Sequence, residues 1–170
     1  MKRPNVRRLA CLIAASTWVV ASCHRVTSCM SDKTFVDTNI LTYAHDVDAG
    51  PKQQIAELVL RELWNEETGV LSPQVLHEFY VNSTRKGVRP LLRDEARAVV
   101  ATYSAWCISI TQAEVFTAFQ IEDIVKISFW NALIISAALK AGATTVLSED
   151  MNAGQNIAGV RIVNPFAGNL

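Results

Sequence analysis

Beyond Met30 the chain alternates short, β-prone apolar runs with longer stretches of helical period, with no repeat, low-complexity tract or internal linker between them. The run "TFV" turns polar at Asp37, Thr38 and Asn39, as a strand does where it ends at a functional edge. Residues 52–65, "KQQIAELVLRELWN", place Ile55, Leu58, Val59 and Leu63 on one helical face, and Pro51 suits a first turn. A short strand near Val70 and Leu71 follows. The segment "SPQVLHEFYVNSTRKG" then reads as a helix with Ser72 as N-cap, Pro73 first in the helix and Gly87 as the stop.

The second half repeats the alternation. "RDEARAVVATYSAW" is amphipathic, "CISI" reads as a strand, and "TQAEVFTAFQIEDIVK" opens on Thr111 with Glu114 completing a capping box. A helix from Phe129 to Lys140 follows, apolar on nearly every side and closed by Gly142, with Ser128 suited to cap it. "TTVLS" and "GVRIV" supply the last strands. Parallel strands need crossover connections, so the alternation predicts an α/β fold: a central parallel sheet covered by helices on both faces. A length of 170 residues suits one domain with a real core.

Residues 1–29 differ from the rest. They hold five of the sixteen basic residues, none of the sixteen acids, and three of the four cysteines (Cys11, Cys23, Cys29). A basic start, an apolar run from Leu9 to Ala21 and small residues before Cys23 give the layout of an export signal or lipoprotein box. The alternative is sequence upstream of a true start at Met30, which leads directly into the first strand. That second reading is preferred, because nothing beyond Met30 is built for an oxidising compartment, and it places the protein in the cytoplasm without membrane association. Export is the alternative if 1–29 is a genuine signal. Cys107, the remaining cysteine, reads as packing rather than as a nucleophile.

From Met30 onward eleven basic residues face sixteen acids, a net charge of −5. Such a body is poorly matched to RNA as a whole, but Arg85, Lys86, Arg89, Arg93 and Arg97 form a local basic stretch beside the helix that carries Glu78, which reads equally as a phosphate-binding surface or as a solvated loop and helix start. In an open parallel sheet ligands bind outside the carboxyl ends of the strands. Asp37 ends the first strand there, Glu149 and Asp150 end "TTVLS", and Glu78 interrupts an apolar helix face. Carboxylates gathered from separate elements repel one another, and the usual compensation is a hard divalent cation. Glu122 and Asp123 read as a solvated helix face. His24, His45 and His77 suggest no triad: His45 sits in an acidic loop and His77 merely neighbours Glu78. Neither a glycine-rich phosphate loop nor a Cys/His metal spacing is present.

Four segments in order, "FVDTNILTYA", "SPQVLHEFYVN", "ISFWNALIISAALKAG" and "TVLSEDMNAGQNIAGVRIVNPF", resemble the blocks of the PIN-domain family, in particular its VapC-type toxins, over residues 34 to 166. The resemblance implies that residues 30–170 are a single PIN-like domain of three-layer α/β/α architecture. It further implies a Mg²⁺- or Mn²⁺-dependent endoribonuclease, a homodimer, and an antitoxin partner that blocks the site. Residue by residue, the family's first, second and fourth acids match Asp37, Glu78 and Asp150, while its third, an Asp, matches Asn131. These four are the expected catalytic and metal-holding positions. Thr38, Asn39 and Ser148 are expected to orient an acid or bind substrate phosphate.

Asn131 departs from the family pattern. An amide keeps the size of the acid and one carbonyl oxygen but loses the charge, worth about 4 kcal/mol for unit charges 4 Å apart at an effective dielectric near 20. Three outcomes follow: an impaired nuclease, an inactive binding or regulatory module, or a site compensated by Glu149. Compensation needs a turn, since Glu149 on an extended strand points away from Asp150.

Overall fold

The computed structural model describes residues 32–168, so the expected leader at 1–29 lies outside the described residues. In chain order the elements are β1 (Lys33–Val36), α1 (Thr38–His45), α2 (Pro51–Asn65), β2 (Gly69–Val70), α3 (Pro73–Arg85) and α4 (Arg93–Tyr103). A 3₁₀ turn (Ser104–Trp106) leads to α5 (Gln112–Val125), α6 (Phe129–Ala141), β3 (Ala143–Leu147), β4 (Asn156–Ile157) and β5 (Val160–Val163).

The five strands form one sheet in the order β2-β1-β3-β5-β4. β1 pairs in parallel with β2 and β3, and β3 with β5, so the predicted α/β class with helices crossing between parallel strands holds. One edge departs from it: β4 runs antiparallel to β5. These two strands are joined by Ala158 and Gly159, both at positive φ (53° and 94°), the backbone a two-residue hairpin requires. An Ala-Gly pair is a weaker hairpin signal than Asn-Gly, and a two-residue strand has no periodicity to read, which is why the edge strand escapes the sequence.

Several local expectations are met. Pro51 starts α2, Thr111 and Glu114 form a capping box on α5, Ser128 caps α6, and Gly142 ends α6 at φ 69°. Others need correction. "CISI" is not a strand: only Cys107 bridges Leu71, because the chain leaves the sheet edge after the Ile108 N–H bonds the Leu71 carbonyl (2.9 Å). The buried face of α2 is Ala56, Leu60 and Leu63, while Leu58 is 52% exposed. Ser72 holds the cap position of α3 without making the capping bond. A helix that the sequence reading did not place, α1, starts directly after Asp37.

The core lies where β1 and β3 meet the helices, with Phe35, Val36, Ile40, Leu41, Val75, Phe79, Ile135, Val146 and Ile162 fully buried. α6 is apolar all round because it is enclosed, with Ala132 and Ile134 to Ala138 buried. Among the described residues no single helix is long and apolar enough to cross a membrane.

Candidate active site

β1 and β3 lie side by side in the middle of the sheet, so their carboxyl ends present Asp37 and the segment 148–150 together. Asp37 is only 4% exposed. It is the N-cap of α1, its Oδ1 accepting the Thr38 N–H (2.6 Å), and its Oδ2 accepts from Ser148 Oγ (2.6 Å) and Asn39 Nδ2 (3.0 Å). The same Asn39 amide donates to Asp150 Oδ2 (3.2 Å), and Ser148 Oγ accepts the Asp150 N–H (3.2 Å). Asn39 and Ser148 thus link two carboxylates that would otherwise separate.

Glu78 arrives from α3. The Thr38 hydroxyl donates to its Oε2 (2.9 Å), which ties α3 to α1, and Gln74 Nε2, one turn earlier on α3, donates to its Oε1 (2.8 Å). Asn131 arrives from the first turn of α6. Its backbone N–H donates to Ser128 Oγ (3.2 Å), so the residue is part of the cap, and it lines the same cleft as the acids.

The cleft has a volume of about 270 Å³ and is lined by Asp37, Thr38, Asn39, Glu78, Asn131 and Asp150 together. Ser148 stands behind it, in contact through Asp37. Glu149 does not join them. The chain does turn after β3, but it carries Glu149 into an ion pair with Lys52 on α2, away from Asp150, so Glu149 offers no replacement for the charge missing at Asn131. Glu122 and Asp123 on α5 are likewise not among the lining residues.

Electrostatics show what the gathering costs. Burial, with added repulsion from Asp150 and Glu78, pushes Asp37 up to about 6, and the hydrogen bonds from Ser148 and Thr38 offset only part of this. The donors are hard oxygens with unneutralised charge, which suits a hard divalent cation in chemistry. Among the described residues, however, no three Asp, Glu, His or Cys side chains stand together as a finished ion-holding group.

Lys86 and Arg89 of the basic stretch also line the cleft, Arg89 held by an ion pair to Asp48. Arg93 and Arg97 lie on α4, where Arg97 pairs with Asp94 (3.1 Å). Trp130, 60% exposed, forms part of the rim and separates the cleft from a second, largely apolar hollow containing His77. His45 is not in a loop, as the sequence suggested. It ends α1, its ring packed edge-on to Phe79 and Tyr103, and it lines the cleft. Sequence reasoning missed His45, Thr42, Gln74 and Ser83 as cleft residues. The helical spacing 38, 42, 45 was the available signal, once α1 was known to be a helix.

A family model described as PIN domain matches residues 34–155. No curated protein matches the chain in sequence. Solved structures with similar folds include Mycobacterium tuberculosis VapC20, described as a sarcin-ricin loop cleaving toxin, with 17% identity and a TM-score of 0.55 over 69% of this chain and 90% of that one. They also include FitAB bound to a DNA fragment, with 17% identity and a TM-score of 0.61 over 78% and 95%, and Neisseria gonorrhoeae FitAcB, with 13% identity and a TM-score of 0.55 over 79% and 99%.

Proposed function

The chain belongs to the PIN-domain family, and from that premise we propose that it is a toxin-type endoribonuclease, hydrolysing RNA phosphodiester bonds with Mg²⁺ or Mn²⁺ and impaired by Asn131. The observation that carries the reading is the convergence of Asp37, Glu78, Asn131 and Asp150 from four separate elements on one cleft. Asp37, Glu78 and Asp150 are the residues that would hold the cation, with the Asn131 carbonyl as a neutral fourth donor. A divalent cation bound there supplies Lewis-acid polarisation of water and neutralises phosphate charge. The chain's own contribution is positional: Asn39 and Ser148 hold Asp37 and Asp150, and Thr38 and Gln74 hold Glu78. Thr38, Asn39 and Ser148 therefore act on substrate through the acids they orient. Lys86 and Arg89, which line the same cleft, complement the RNA phosphates.

Partners follow from the same reading. The proposal includes an antitoxin that covers the cleft, and a homodimer using the exposed apolar surface of α5, where Phe116, Phe119 and Ile124 are presented to solvent. It also places the protein in the cytoplasm. A native N-terminus at Met30 or Ser31 supports that placement, and a lipidated Cys23 overturns it.

A second reading, an inactive PIN-like binding or regulatory module, is favoured by Asn131 itself. One experiment separates the two: Mg²⁺- and Mn²⁺-dependent cleavage of structured RNA by the unaltered chain, by Asn131→Asp and by Asp37→Ala. Cleavage by the unaltered chain that Asp37→Ala abolishes supports the impaired enzyme. Cleavage by Asn131→Asp alone means a nuclease scaffold silenced at one position, and cleavage by none overturns the ribonuclease reading.

A further inference from the structure

Local rules disfavour one residue near the site. Lys52 is second in α2, which begins at Pro51 and carries no acid in its first turn. A cation there meets the positive end of the helix, where carboxylates are favoured, so its neighbours in sequence give it no support. The support comes from elsewhere in the chain. Lys52 Nζ pairs with Glu149, which follows β3, and lies over the rings of Tyr43 on α1 (4.8 Å) and Phe166 beyond β5 (5.6 Å). Those two rings stand edge-on at 5.3 Å. Three separate segments therefore hold the ammonium in a way that an isolated surface ion pair does not. Two of the three border the acids, since Tyr43 lines the cleft and Glu149 precedes Asp150.

Asp150 is the acid with the weakest hold of its own. Asp37 accepts from three donors at 2.6, 2.6 and 3.0 Å, and Glu78 from two at 2.8 and 2.9 Å. Among the described residues the Asp150 carboxylate accepts from one, the Asn39 amide at 3.2 Å, which is shared with Asp37. The backbone of the turn is held by long bonds, the Glu149 N–H to Asn39 Oδ1 (3.4 Å) and the Asp150 N–H to Ser148 Oγ (3.2 Å). Asn39 and Ser148 also serve Asp37, and the repulsion between Asp37 and Asp150 pulls against both. The Lys52 pair anchors the turn from outside that network. With Met151 buried on the other side, Asp150 stands between two fixed neighbours.

We propose that Lys52 is a positioning residue: by holding Glu149 it fixes the turn that keeps the Asp150 carboxylate in the cleft beside Asp37, where a divalent cation would bind. The inference rests on the metal-dependent ribonuclease reading and adds to it a residue outside the cleft. It also gives Glu149 a role other than replacing the charge absent at Asn131, because its diversion to Lys52 is what holds its neighbour in place.

The test is calorimetric titration of the full chain with Mn²⁺, beside thermal melting in chelator. The chains are the unaltered one, Lys52→Arg, Lys52→Met, and Lys52→Met combined with Glu149→Gln, each also made with Asn131→Asp. The combined change removes the pair without altering net charge, so an effect of charge alone would leave the affinity where it was. The expected result is a loss of about tenfold, the lower end for partners that orient metal-holding groups, while Lys52→Arg keeps the affinity. Lys52→Met alone frees a negative charge near the site and is still expected to weaken Mn²⁺; tighter binding means that the pair acts only through its charge and overturns the inference. A lowered Tm in the combined change with Mn²⁺ affinity unchanged overturns it as a brace of the fold only. If the Asn131→Asp chain binds Mn²⁺ equally with and without the pair, the positioning role falls and the metal-dependent reading stands; if neither the unaltered nor the Asn131→Asp chain binds Mn²⁺, both fall.

Discussion

Asn131 carries an amide where the family resemblance implies a carboxylate. Restoring the charge with Asn131→Asp adds an attraction of order 4 kcal/mol before desolvation, and recovering a third of it tightens Mn²⁺ about tenfold. Isothermal titration of both chains checks this without reference to activity. Asp37 and His45 make a second prediction, because their shifts oppose each other. Asp37 rises from 3.8 to about 6, so its favourable contribution is complete below pH 4 and is lost as pH rises to 6. His45 falls from 6.5 to about 4, so its contribution is complete above pH 6.5 and is lost as pH falls to 4. Each amounts to about 3 kcal/mol and the two nearly cancel. In chelator, stability therefore changes little from these groups between pH 4 and 6.5. Asp37→Asn is expected to become more stable with rising pH across that window and His45→Gln less stable, as denaturant midpoints at several pH values will show.

The elements hold these residues through a few close contacts. Ser128 caps α6 and sets the turn that carries Asn131, so Ser128→Ala is expected to cost about 1 kcal/mol, with Ser128→Thr retaining most of it. Chemical denaturation reads the loss. Gly69 on β2 lies against the Trp106 indole, and a Cβ there would stand 2.7 Å from the ring. The indole is packed on Trp64 and Tyr103 at centroid distances of 5.2 Å and cannot withdraw freely. Gly69→Ala is expected to destabilise by about 1–3 kcal/mol, seen as a lowered Tm, and pairing it with Trp106→Leu should recover part of the loss. At this scale the sequence was readable wherever a rule is local. Caps at Thr111 and Ser128 and the stop at Gly142 depend on neighbours within four residues. The Gly69 to Trp106 contact and the Ala158-Gly159 hairpin had no such signal, the first because its partner is distant in the chain and the second because the strand is too short for a period.

Across the whole molecule, an acidic body with two cationic side chains at the cleft predicts weak electrostatic attraction to RNA. Two phosphate contacts correspond to a salt slope of about −1.4 for single strands, and Lys86→Ala should reduce it by about half. Binding of a labelled oligonucleotide across salt concentrations measures both. The alternation of β-prone runs and helical periods determined the parallel α/β class before any coordinates, since hydrophobic period and crossover geometry leave few other arrangements. Sequence resemblance named Asp37, Glu78, Asn131 and Asp150 together, and all four line one cleft. What only the tertiary structure decided is which of the nearby polar residues share their cleft. Glu149, adjacent to Asp150, is drawn off to Lys52, while Thr42, His45 and Ser83 are brought in. Side-chain direction after a strand end depends on the turn taken there, and the meeting of two helix faces depends on how α1 and α3 pack. Neither is written in the spacing of residues along one chain.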